Sequence, residues 1–126
     1  MTDPRDHYRC RLVDVIDFCL PDLAVCADVE VDLGFGVRLA VRVALPGVQV
    51  RTRADALAVS MAVSHWCEAR GDRLTVRTAH DTRDTFGRVL GTLVDYATGE
   101  TLEGILLEAG LVVREEGRRR HAWGSA

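Results

Sequence analysis

Apolar and polar positions alternate through much of the first fifty residues with the two-residue period of a half-buried strand. Residues 8–17 (YRCRLVDVID) read as a first strand. Residues 18–25 contain Pro21 and break it as a loop or wide hairpin connection. The alternation returns at 28–33 (DVEVDL). Gly34-Phe35-Gly36 then makes a tight turn, because glycine takes positive φ at little steric cost, and 37–45 pairs back as a hairpin. Pro46-Gly47 punctuates its end. Residues 53–69 are helical, with Leu57, Met61, Val63 and Trp66 among alanines, Thr52 as cap and Gly71 as stop. His65 reads as a surface residue of that helix, and Trp66 as a contact to the core.

Residues 73–79 and 86–96 are two further strands, the second followed by the turn Ala97-Thr98-Gly99-Glu100. Thr101 caps a short helix over 101–109 that Gly110 ends, and 111–113 packs back onto the sheet. No repeat appears. The expected fold is mainly β with helices: five antiparallel strands in a small Greek-key barrel, a helix after the third and another after the fifth. A flexible segment at 1–7, one folded domain at 8–113 and a polar, frayed tail at 114–126 complete the division.

Composition narrows the classes. With 126 residues and 48% hydrophobic, the chain has enough apolar side chain for one core, which excludes disorder throughout. No apolar run approaches ~18 residues, so no membrane span or membrane partner is expected. The start is polar and charged, so no signal peptide is expected. The net charge of -3 argues against nonspecific grip on a phosphate backbone. Cys10, Cys19, Cys26 and Cys67 show no CxxC pair and no histidine spaced to complete a zinc site. They read as free thiols, with no zinc and no disulfide, in a cytoplasmic setting. All 16 basic residues are arginine, and lysine and asparagine are absent. That points to a GC-rich bacterial or phage gene, hence host cytoplasm if phage-encoded.

The order of these segments resembles the staphylococcal nuclease-like family, an OB-type barrel. The resemblance is carried by YRCRLVDVID (8–17), VEVDLGFGVRLAVRVALPGV (29–48), RDTFGRVLGTL (83–93) and TLEGILLEAGLVV (101–113). Its DLGFG hairpin is similar to forms in phage and actinobacterial members. Active members are calcium-dependent phosphodiesterases. They need oxygen ligands for a hard cation, a carboxylate to direct water and arginines to hold the phosphate.

The resemblance assigns each of those parts a position here. The first metal aspartate falls on Cys19 when read forward from Asp17, or on Val25 when read backward from Asp28. Asp17 and Asp22 lie nearby as displaced ligands. The phosphate arginine falls on Ala44, with Arg42 two residues earlier on the same face and about 6.6 Å of strand away. Gln49 takes the second metal position. Arg51-Thr52 stand where a Pro-Glu pair supplies the base, so Thr52 is the residue there. No acid occurs between Asp32 and Asp55. Arg88, in Phe86-Gly87-Arg88, matches the family's last arginine and follows Arg83 and Asp84.

The expectation is therefore a catalytically inactive nuclease-like domain, without cofactor, serving as a binding module toward a protein or a second copy of itself. Arg88, Arg83, Arg42 and Arg38 are the candidate binding residues, and Tyr8, Arg9 and Arg11 line part of a groove. The alternative is a metal-dependent phosphodiesterase with rearranged ligands: Asp17, Asp22, Asp28 or Glu30 for metal, Arg42 with Arg88 for phosphate. Nucleic-acid binding without catalysis is less favoured. Aromatics are only 6%, too few for base stacking, and Asp28, Glu30 and Asp32 share one strand face that repels phosphate. The Arg118–His121 cluster is offset by Glu115 and Glu116. His80 reads as loop surface chemistry beside Asp81, and Trp123 as an isolated anchor in the tail.

Overall fold

The alternating segments form three long strands, β1 (His7–Cys19), β2 (Ala24–Gly34) and β3 (Val37–Val50). They pair antiparallel, Cys10 opposite Val31 and Ala27 opposite Val43. The computed structural model describes the backbone of residues 7–19, 24–83 and 88–114, and the side chains of all these except 16–19 and 79–83. Residue 22, the tail beyond 114 and the 84–87 segment therefore lie outside the description, with Asp22, Asp84, Phe86, Arg118–Arg120, His121 and Trp123.

Four strands run further than their patterns suggested: β1 reaches Cys19, and the strand expected at 73–79 reaches Arg83, which puts His80 on a strand and not in a loop. β2 begins at Ala24, where Val25, Cys26 and Ala27 are all buried, so the alternation is masked by apolar residues on both faces. β3 continues through Pro46-Gly47 to Val50. Pro46 sits where the β2–β3 register slips, so its missing N–H costs no ladder bond, and Gly47 takes φ +82°. The pair bends the strand instead of ending it.

A 3-10 turn (Arg53–Asp55) leads into α1 (Ala56–Arg70), which stops at Gly71 with φ +53°. β4 (Leu74–Arg83) and β5 (Val89–Asp95) follow, then α2 (Leu102–Glu108), whose N-cap Thr101 Oγ1 accepts from the Gly104 N–H at 3.2 Å. β6 (Val112–Arg114) pairs with the end of β3, which makes six strands where five were expected.

β1 through β5 close into a ring of pairings, β1–β2–β3–β5–β4 and back to β1. An odd ring cannot alternate direction all the way round, so one pair must run parallel. That pair is β3–β5, with Val43 opposite Val89 and Ala44 opposite Leu90. The expectation of an all-antiparallel sheet fails on this parity.

The core lies inside the ring and under α1. It includes Val29, Val63, Leu93, Leu102 and Leu106, each at 0% exposure. Burying one such leucine contributes about 1.5–3 kcal/mol. α1 turns a stripe of small residues inward, Ala56, Val59, Ser60, Val63 and Cys67 with Trp66, and leaves Leu57 and Met61 exposed. Trp66 Nε1 donates to Glu100 at 3.2 Å, and the Arg70 guanidinium stacks 4.4 Å over its ring. Arg70 and Arg73 both flank buried Asp95 at 3.4 Å. Among the described residues no helix is long and apolar enough to cross a membrane.

Candidate functional site

Cross-strand register decides what the outer face of β1–β2–β3 presents. Even-numbered residues of β2 point outward: Ala24, Cys26, Asp28, Glu30 and Asp32, opposite Arg42 and Arg38 on β3. Arg42 grips Asp28 with two bonds, Nε to Oδ1 at 2.8 Å and Nη2 to Oδ2 at 3.1 Å. Those bonds raise the Arg42 pKa, while the nearby Arg88 charge pulls it the other way. Glu30 Oε1 accepts from Arg11 at 2.9 Å and Arg38 at 3.2 Å, and these hydrogen bonds hold its carboxyl below the usual range. Asp32 accepts from the Gly34 N–H at 2.8 Å. The expected bare acidic stripe is therefore a ladder of three acids and three arginines. The register supplies the cations from the neighbouring strands, which the strand's own sequence does not reveal.

Toward the other end of the same face the ladder gives way to apolar side chains. Ala44, at the position of the phosphate arginine, is 2% exposed and packs with Ala24, Cys26 and the half-buried Leu90. Arg88, immediately before β5, is 4% exposed and its Nη1 donates to Cys26 Sγ at 3.6 Å. Cys26 is disulfide-bonded, which overturns the expectation of four free thiols. The absence of a CxxC spacing gave no guide to it, because a disulfide needs closeness in space and not in sequence. Cys10 and Cys67 are free, and burial pushes both thiols up to about 12.

The remaining candidates do not converge. Val25 faces the core at 3% exposure. Gln49 is half-buried in the ladder between Ala24 and Val113. Thr52 is exposed and donates to Asp55 at 3.1 Å. Asp17 and Cys19 lie on β1 and Arg83 on β4 opposite Val89, with side chains outside the description, as is that of His80. Among the described residues no three histidine, cysteine, aspartate or glutamate side chains gather into a metal-binding group. Arg9, Arg11 and Arg38 do line one cavity, of about 380 Å³, but share it with Glu30, Asp32, Glu68 and Asp72. Arg42 lies outside it.

The inner face of the β2–β3 hairpin holds what the motif reading missed. Beyond buried Val29 and Val31 the apolar alternation continues into solvent, with Leu33 at 47%, Val37 at 53% and Leu39 at 49% exposure. Phe35, at the tip, is fully exposed. At the foot of this stripe a cavity of about 210 Å³ opens among Tyr8, Val31, Leu39, Val41, Val76 and Val89. The signal was present in the sequence as an alternation that runs unbroken through the turn. No protein-family model matches this chain, and comparison with curated proteins finds no match.

Proposed function

We propose that the chain is a non-catalytic binding module on a nuclease-like, OB-type ring, acting through contact with protein. One observation carries the reading: Ala44, where the resemblance places the phosphate arginine, is buried against Ala24, Cys26 and Leu90. Hydrolysis at such a site needs carboxylate oxygens within reach of a metal and an arginine free to follow charge onto the phosphate. The cluster supplies no carboxylate, and Arg88 beside it is 4% exposed and donates to Cys26 Sγ. Arg42, the candidate substitute, is held through Nε and Nη2 by Asp28, and a bidentate grip on phosphate through those nitrogens means giving up that pair.

The charge ladder supports a protein partner over nucleic acid, since its three arginines are matched by three carboxylates on the same face. A disulfide at Cys26 sits poorly with the cytoplasmic setting expected from the sequence, where thiols are kept reduced. The test is hydrolysis of single- and double-stranded DNA and RNA with calcium or magnesium. We expect no turnover. Metal-dependent cleavage that follows the protein through repurification and disappears in Arg42→Ala would overturn the reading in favour of a phosphodiesterase with displaced ligands.

A further inference from the structure

We propose that the partner this module first engages is a second copy of itself, with Phe35 of each chain seated in the apolar cavity of the other. The inference rests on the protein-binding reading above. It begins with the two faces of one ribbon. Outward residues of the β2–β3 hairpin satisfy one another in the charge ladder, while the inward stripe of Leu33, Val37 and Leu39 leaves the ring and meets water. Together with Phe35 these side chains expose on the order of 400 Å² of apolar surface, at the size where patches on soluble proteins mark interaction sites.

The tip is an unusual place for a large ring. Phe35 adopts φ +56°, a left-handed conformation disfavoured for a residue with a β-carbon, between Gly34 and Gly36. Asparagine or glycine fits such a turn more readily. Here the position is given to a phenylalanine with nothing packed against it.

A matching hole lies on the same face. The cavity of about 210 Å³ is walled by valine, leucine and tyrosine, and an apolar void of about 150 Å³ already accepts a benzene ring. Its lining on this ribbon starts at Leu33, two residues from Phe35, and runs down through Val31, Leu39, Val41 and Val43 into the ring, with Thr78 on the far wall. Two ribbons stacked inner face to inner face, antiparallel about a two-fold axis, place each tip over the other's cavity. That is the self-complementary arrangement a two-fold dimer requires, with knob and hole on one patch. Packed sheets sit about 10 Å apart, a gap that these side chains span. Both stripes together remove on the order of 800 Å² of apolar surface, and the surrounding ribbon backbone brings the contact to the ~1,000 Å² at which specific interfaces begin. An apolar pocket without cations offers nothing to a nucleic acid.

The experiment is sedimentation equilibrium of the full chain across about 1–200 µM, on wild type, Phe35→Ser and Leu57→Ser. Leu57 is an exposed apolar residue on α1, outside the patch, so it controls for general stickiness. We expect a reversible dimer that Phe35→Ser weakens at least tenfold and Leu57→Ser leaves unchanged, with both variants keeping the wild-type circular dichroism. A photo-crosslinking residue at position 35, in a mixture of isotopically light and heavy chains, should join the Val41 or Val76 peptide of the other copy. Wild type that stays monomeric to 200 µM, or a dimer indifferent to Phe35→Ser, overturns the proposal. If that monomer instead binds a different protein through Phe35, self-association falls while the protein-binding reading stands. Metal-dependent nuclease turnover would remove the non-catalytic reading, while the dimer stands or falls on the sedimentation result alone.

Discussion

Gly91 is the position where the ring leaves least room, and replacing it with alanine tests the packing directly. It sits buried on β5 opposite Thr78 of β4, immediately after Leu90, where β5 meets β3. A β-carbon there would lie 2.9 Å from the Arg77 carbonyl oxygen and 3.5 Å from Thr78 Cα. The nearest obstacle is backbone, so no side-chain rotation relieves it. Gly91 does not occupy the left-handed region, so alanine meets no torsional objection and gains about 0.4–1 kcal/mol by restricting the unfolded chain. Forcing β4 and β5 apart costs about 1–3 kcal/mol. The net expectation is a loss of about 1–2 kcal/mol, or a Tm lower by about 3–8 °C for a domain of this size. Urea unfolding followed by circular dichroism measures it as a lower midpoint at unchanged slope. A midpoint equal to or above wild type would show that the strands part freely, and the steric reasoning would be wrong.

Other outcomes follow from single contacts. Burial works to raise the Asp95 pKa, but N–H bonds from Ala97 and Thr98 and the Arg73 and Arg70 charges outweigh it and pull the carboxyl below its ordinary value. Its stabilising effect is thus complete above the unfolded carboxyl's pKa near ~4 and is lost as pH falls through the lower folded value. Urea midpoints measured from pH 6 down to pH 2 should fall below about 4, and Asp95→Asn should flatten that fall. Thr101→Ala removes the cap on α2 and should cost about 1 kcal/mol by the same denaturation assay. Cys10 and Cys67 should resist an aromatic disulfide reagent at pH 8 until the chain unfolds. Peptide mapping after alkylation should find Cys26 blocked until reductant is added.

Residues whose environment is set by their own strand were readable in advance. The period-two runs gave the hairpin and its turn, Thr101 and Gly110 gave the limits of α2, and 111–113 did return to the sheet. What required register was not readable. The pairing of Arg42 with Asp28 joins residues 14 apart in sequence, and that of Arg11 with Glu30 spans 19. A one-residue slip would turn every one of these side chains to the other face. Ala44 illustrates the same limit: its identity marked a missing arginine, but only the ring shows that an outward-facing alanine is buried. The packed face of α1 combines small residues with Trp66 and leaves Leu57 and Met61 exposed, a choice of face that the helix's own sequence does not mark.

The parallel β3–β5 contact also bears on how the chain assembles. β1, β2 and β3 are neighbours in sequence and can zip as a meander with short loop closures. Val43 and Val89 meet across 45 intervening positions, with α1 and β4 between them. With two paired residues against three between β1 and β4, that closure gains the fewest ladder contacts of any seam in the ring, so it belongs late on the folding path. The same seam is the cheapest place to open the native ring. In native-state hydrogen exchange, the amides of Val89 and Leu90 should trade with solvent through a partial opening that leaves Val29 and Val41 protected.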